Sequence, residues 1–476
     1  MLALLFIVSL PAVTARLYSS DEVQYFSYLR SLYFDHDVSF ENEYRYFHDR
    51  NIAPSAGFHE TFLERETTVG RRVNYGTIGA AILWLPFYAT ADLWTRAAGA
   101  AEANGFTQPY IAAVAYGSAV YAFLALLLSV RAARMVIGEH SRGSMIAALA
   151  VWFGTPLLFY MYIAPPFSHA CSAFAVALFV NAWLHVRRAW SPMGTFALGL
   201  SAALMAMVRE QDAFAALGPM MDFVWTFRSA FITARGAPPS RALTRRSAFG
   251  GLPSGASLGP QALLYSGLIG LVGVAAGYAP QLLAYNAING YPGPAAHVSR
   301  KMSWYAPHAL QVIASPEHGF FLWTPLAVLA VAGLFLLRDR WIAICLLVIV
   351  GSQVYVAGSV ESWTVAGAFG QRRFVCLTVI LVIGLAALWN WVSERVRQTG
   401  TGLKYAAATL VALCVWWNIA LMAQFATRLM DRQRLEPTRN AYHAFVTLPL
   451  SVPSLAYRYL TDRGSFYEPR PGGASR

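Results

Sequence analysis

Apolar blocks of roughly 20 residues, the length needed to cross a bilayer, recur along this chain between polar connections. They fall at about 1–17, 109–130, 144–162, 169–186, 192–208, 212–227, 261–285, 319–337, 341–358, 374–392 and 404–425. The pattern predicts an all-α polytopic membrane protein of about 11 transmembrane helices. A further block, 75–96, is apolar enough to cross, but is expected to lie in the outer interface or re-enter. Gly76, Gly79 and Pro86 suit a broken or kinked helix there. In the polar stretch 18–74, Tyr25, Tyr28, Leu29 and Leu32 recur at helical spacing. They predict an interfacial amphipathic helix with Ser20 as its N-cap and Asp21 and Glu22 in its first turn.

Charge placement orients these blocks. Arginines gather at Arg131, Arg134 and Arg142; at Arg187 and Arg188; in the Ala/Ser/Gly/Pro-rich loop 229–259; at Arg338 and Arg340; and at Arg395 and Arg397 with Lys404. The positive-inside rule places all five connections in the cytoplasm. The N-terminus is then inside, and the loop 18–108 and the tail 426–476 are outside. Were 75–96 to cross, every later cluster would change sides. The first block is expected to remain as an uncleaved helix, giving one transmembrane domain over 1–425.

Composition agrees with this reading. The chain is 57% hydrophobic and 13% charged, against about 25% charged in soluble proteins. Its net charge of +12 is spent on topology, so no nucleic-acid partner is implied. Cys171, Cys345, Cys376 and Cys414 lie singly in apolar stretches and predict buried thiols. Gly267, Gly270 and Gly273 form a small-residue stripe expected at a tight helix contact.

Candidate chemistry gathers at the outer boundary. The Asp21–Glu22 pair suits acid–base work, although first-turn carboxylates also serve a helix dipole. His169 opens the fourth span. Arg209-Glu210-Gln211-Asp212 separates the fifth and sixth spans; Arg209 either receives an anion or pairs with Asp212. Arg372 and Arg373 follow a Gly367–Gly370 turn on the outer side, against the positive-inside rule. They suit a lipid phosphate or anionic headgroups. No HxxH or HxH metal spacing occurs.

Several stretches together resemble the GT-C superfamily of polytopic glycosyltransferases, in the branch of protein O-mannosyltransferases and the lipid A aminoarabinose transferase. Ser20-Asp21-Glu22 with Tyr25 and Leu29-x-x-Leu32 is similar to that family's first-loop acidic motif. Tyr75-Gly76-x-x-Gly79-Ala80-Ala81-Ile82-Leu83-Trp84-x-Pro86-Phe87 is similar to a juxtamembrane helix of bacterial members. Pro166-Phe167-Ser168-His169, Met207-Val208-Arg209-x-Gln211, Trp323-Thr324-Pro325 and Gly367-x-Phe369-Gly370-Gln371-Arg372-Arg373-Phe374 continue the likeness in the family's order.

The resemblance implies transfer of a sugar from a polyprenyl-phosphate donor to a glycan, lipid or protein acceptor outside the plasma membrane. Asp21 would be the catalytic base and Glu22 would assist. Arg209, Arg372 and Arg373 would bind the lipid phosphate. Tyr75 and Trp363 would contact the sugar. His169 stands where some members carry a second acid; with Asp21 it is the candidate ligand for a divalent metal. A different class, a transporter or flippase of a lipid-linked sugar, would show internal repeats and midplane charges. This chain has no convincing repeat, and its charges sit at the boundary.

Overall fold

The computed structural model describes residues 1–52, 56–99, 101–138, 142–235, 258–365 and 367–466. Most of the loop 229–259, the end of the tail and Ala366 of the glycine–arginine segment lie outside them. Among the described residues the structure is helical, with two isolated bridges, Glu66 to Arg72 and Met302 to Val360. The first part of the chain holds α1 (Leu2–Ser9), α2 (Ser20–Arg30), α3 (Glu41–Asp49) and α4 (Gly79–Ala98). Next come α5 (Gln108–Ile137), α6 (Gly143–Gly154), α7 (His169–Val186), α8 (Pro192–Val208) and α9 (Leu217–Ala234). The remainder is α10 (Pro260–Asn289), α11 (Leu326–Leu334), α12 (Arg340–Ser359), α13 (Thr378–Thr399), α14 (Gly402–Thr427) and α15 (Leu448–Thr461).

Among the described residues six helices are long and apolar enough to cross a membrane: α5, α7, α10, α12, α13 with its preceding turn, and α14. They match six of the expected blocks. The others are shorter or broken. Block 1–17 yields an apolar helix over Leu2–Ala12 only. Block 144–162 breaks at Thr155–Pro156, and 319–337 breaks at Thr324–Pro325. Proline removes a backbone donor and disfavours helix in the residue before it. Block 212–227 begins with a 3-10 segment, Glu210–Ala216, before α9.

The spanning segments of α7 and α13 are each 78% buried and form the centre, whereas those of α10 and α14 are 17% and 22% buried. The outward side chains of α10 include Leu264, Leu268, Leu271 and Val272, an apolar surface suited to lipid and costly in water. The glycine stripe faces α8. A Cβ on Gly273 would strike the Phe196 carbonyl, and one on Gly199 would strike the Gly270 carbonyl. The two backbones therefore touch, as small-residue contacts between membrane helices allow. Gly333 of α11 and Gly384 of α13 make a second such contact. All four cysteines are buried, and none forms a disulfide.

Helix α4 lies along one half of α5. The Leu83 carbonyl accepts from the Tyr121 hydroxyl, Trp84 donates to Ser118, and Tyr110 donates to Asp92. Pro86 stands inside α4 without ending it. The polar stretch before it differs from expectation. Helix α2 buries Val23, Phe26, Tyr28 and Leu29 rather than one face alone. Phe26 meets Phe47, Tyr28 meets Phe40, and Tyr44 meets Phe62, at ring separations of 5.0–5.6 Å. Edge-on aromatic pairs of this kind add to the area they bury. These aromatics join the core of the bundle, and α2 is enclosed rather than laid on a lipid surface.

Candidate functional site

The start of α2 sets the positions of the two carboxylates. The N-cap is Ser19, not Ser20: its hydroxyl accepts the Glu22 N–H at 3.4 Å. Glu22 Oε2 in turn accepts the Tyr18 and Ser19 N–H groups at 2.9 and 3.0 Å. This is a reciprocal capping box, which needs Ser and Glu three residues apart, and Ser19 and Glu22 have that spacing. Glu22 is wholly buried, and burial above all raises its pKa to about 8. Its other oxygen, Oε1, is buried with no hydrogen-bond partner. Asp21, one residue earlier, projects away from the cap. Its Oδ2 meets Arg372 Nη1 at 3.0 Å, with the carboxylate side chain 39% exposed.

A second chain of contacts begins at the first residue of α7. Arg209 Nη1 donates to His169 Nδ1 at 2.9 Å; since a guanidinium cannot accept, this ring nitrogen carries no proton. Arg209 Nη2 donates to Gln211 Oε1 at 3.1 Å, and Gln211 Nε2 donates to the Arg373 carbonyl at 3.0 Å. Asp212 takes the Ser172 hydroxyl at 2.5 Å, so the Arg209–Asp212 ion pair does not form. Arg209 Nε is left buried and unpartnered. Arg373 is tied to the Ser362 carbonyl at 2.9 Å, and Arg372 lies 5.3 Å over the Phe167 ring.

These groups border a cavity of about 830 Å³. Asp21, Tyr75, Arg209 and Arg373 line it; Glu22, His169, Arg372 and Trp363 do not. His169 and Arg372 stand behind Arg209 and Asp21. Tyr75 stacks on His297 at 5.4 Å. Trp363 stacks on His308 at 5.4 Å. Arg65, Lys301 and Glu210 also line the wall without having been singled out in the sequence. Arg65 and Lys301 lie in polar connections where nothing marks them. Glu210 stood within the noticed charged cluster, but its partners, the Tyr285 hydroxyl at 2.5 Å and Tyr278, are on α10. Partial burial, then Lys301, Arg65 and Arg300, lowers the pKa of His297. Tyr25, also in the wall, has its phenol pKa raised by burial.

The wall therefore carries four cationic side chains, Arg209 and Arg373 held by hydrogen bonds and Arg65 and Lys301 exposed, against the carboxylates of Asp21 and Glu210. That balance suits an anionic ligand. It does not suit a divalent cation on Asp21 and His169. Asp21 already faces Arg372, and the free lone pair of His169 is taken by Arg209. Among the described residues no group of three His, Cys, Asp or Glu is placed to hold a metal. No protein-family model matches this chain, and neither does any curated protein compared with it.

Proposed function

We propose that this membrane protein is a glycosyltransferase that takes a sugar from a polyprenyl-phosphate carrier and transfers it to an acceptor on the extracytoplasmic side of the plasma membrane. The observation that carries the reading is one carboxylate, Asp21, at the edge of a cavity walled by Arg209, Arg373 and Lys301. A phosphate and a nucleophile-activating base are the two things such a transfer needs at one place.

In this reading the Asp21 carboxylate takes the proton from an acceptor hydroxyl as that oxygen forms a bond to the anomeric carbon of the sugar. The bond from that carbon to the carrier phosphate breaks, and its electron pair leaves on the phosphate. Negative charge grows on the phosphate oxygens in the transition state. The guanidinium groups of Arg209 and Arg373 are held there in advance by His169, Gln211 and Ser362, so they need no reorganisation as the charge develops. Arg372 orients Asp21 through their ion pair. Glu22 acts as a positioning residue, because its cap fixes the helix turn that carries Asp21. Tyr25 and Tyr75 offer ring faces to the sugar.

The test is a transfer assay on the purified protein in lipid, with radiolabelled polyprenyl-phosphate sugars and a membrane acceptor fraction. Label should leave the carrier with the native protein and stay on it with Asp21→Asn. If the donor is untouched while labelled lipid changes leaflet, the protein is a flippase instead.

A further inference from the structure

A second cavity, of about 850 Å³, lies at the opposite end of α7. Arg131 and Arg134 reach it from α5, three residues apart and so on one helix face. His185 and Arg188 reach it from the end of α7. Below them its wall is apolar: Leu127 and Val130 from α5, Met145 from α6 and Leu2 from α1.

Its arginines differ from their neighbours in sequence. Arg187 is neutralised by Asp222 at 2.8 Å, with Asp339 at 3.9 Å, and Arg338 by Glu394 at 2.8 Å. Arg131, Arg134 and Arg188 have no carboxylate partner among the described residues, and all three are exposed. Arginines near a helix end complement its dipole and set topology. Neither role requires three of them to share a cavity floored with leucine, valine and methionine. From His169 to His185 is 16 residues, or ~24 Å along a helix rising ~1.5 Å per residue. That is comparable with the ~30 Å of a bilayer's hydrocarbon layer; Arg209, the partner of His169, lines the first cavity and His185 lines the second.

We propose that this second cavity holds the phosphate headgroup of an anionic phospholipid, its acyl chains running along the apolar wall, at the membrane face opposite Asp21. Guanidinium groups grip the phosphate oxygens, and basic pockets between membrane helices are suited to such headgroups. The apolar wall is what a free anion would leave unused.

The experiment places the full chain in nanodiscs of phosphatidylcholine with an added fraction of phosphatidylglycerol and measures, by native mass spectrometry, the lipid retained on release. The native protein should retain phosphatidylglycerol in preference to phosphatidylcholine. The triple variant Arg131→Gln, Arg134→Gln, Arg188→Gln should lose that preference by roughly a hundredfold, and Arg142→Gln, outside the cavity, should keep it. Inorganic phosphate should not displace the lipid. Equal retention of both lipids by the native protein overturns the proposal, whatever the variants do. So does an unchanged preference in the triple variant, an equal loss in Arg142→Gln, or displacement by phosphate alone. If the triple variant does not fold, Arg188→Gln alone must weaken the preference by about fivefold or the proposal fails.

Discussion

Two charge clusters among the described residues, one buried around Asp222 and one partly exposed around Asp21, are built on opposite terms. In one, Asp222 of α9 is 1% exposed and faces Arg187 at 2.8 Å, while the indole N–H groups of Trp183 and Trp341 donate to it at 3.1 and 2.7 Å. Both of its oxygens are engaged, by Trp183 and Arg187 at the end of α7 and by Trp341 of α12, and neither Asp222 nor Arg187 lines either of the two cavities. In the other, Asp21, Arg372, Arg209 and Arg373 have one or two partners each. Arg209 Nε and Asp212 Oδ1 have none, and the cluster borders about 830 Å³ of open space. Burying a charge is tolerable once it is paired and hydrogen-bonded. The Asp222 cluster meets that condition and holds helices together. The Asp21 cluster leaves cationic capacity unspent, and a ligand would complete it.

Substitutions at four residues sharpen the contrast. Asp21→Asn is expected to lower transfer by about 10²- to 10⁴-fold, the usual contribution of a general base, while the thermal melting curve stays near that of the native protein. A misfolded variant would instead give Asp21 the structural role of Asp222. Asp222→Ala should do the reverse. It strands Arg187 at 11% exposure and should cost about 3–5 kcal/mol of stability, read as a lowered unfolding midpoint, with transfer per folded molecule retained. Arg373→Ala should weaken binding of the polyprenyl-phosphate donor by roughly 10- to 100-fold, as for loss of one charged contact, with little change for the acceptor; equal losses for both would remove the phosphate assignment. The smallest effect is expected at Glu22.

The folded pKa of Glu22, about 8, lies above the ordinary 4.5. The folded state therefore holds its proton more tightly than the unfolded chain does, and this group's stabilising contribution is complete below about 4.5 and lost as pH rises toward 8. Glu22→Gln keeps the acceptor oxygen of the capping box and should flatten that fall in stability across the window. Glu22→Ala removes the cap and should cost about 1 kcal/mol at low pH, a cost that shrinks as pH rises from 4.5 toward 8 and the native protein loses this group's contribution. A pH profile of melting that is the same for native protein and Glu22→Gln would mean that Glu22 does not titrate there.

The sequence exposes the long apolar helices and the side of the bundle on which each charged group gathers, because span length and arginine placement act locally. His169, Arg209 and Arg372 come together at one end, as alternate connections imply. Partner choice is another matter. Whether Arg209 meets Asp212, three residues away, or His169, forty residues back, depends on how α7 and α8 lean on each other. Nothing local encodes that. The aromatic core of the first loop escaped notice for a related reason: nothing local pairs Phe40 with Tyr28 or Phe47 with Phe26. The capping box at Ser19 and Glu22 was legible by its spacing, and it separates two adjacent acids whose identity alone made them look like a pair.

The contact between Asp21 and Arg372 joins residues 351 positions apart (372 − 21). The ribosome delivers the carboxylate near the start of synthesis and its cation only in the last quarter. Until then Asp21 lacks its ion-pair partner. Chains stopped short of residue 372 would carry half a site. The finished protein is thus marked off from its own fragments by a bond that forms late.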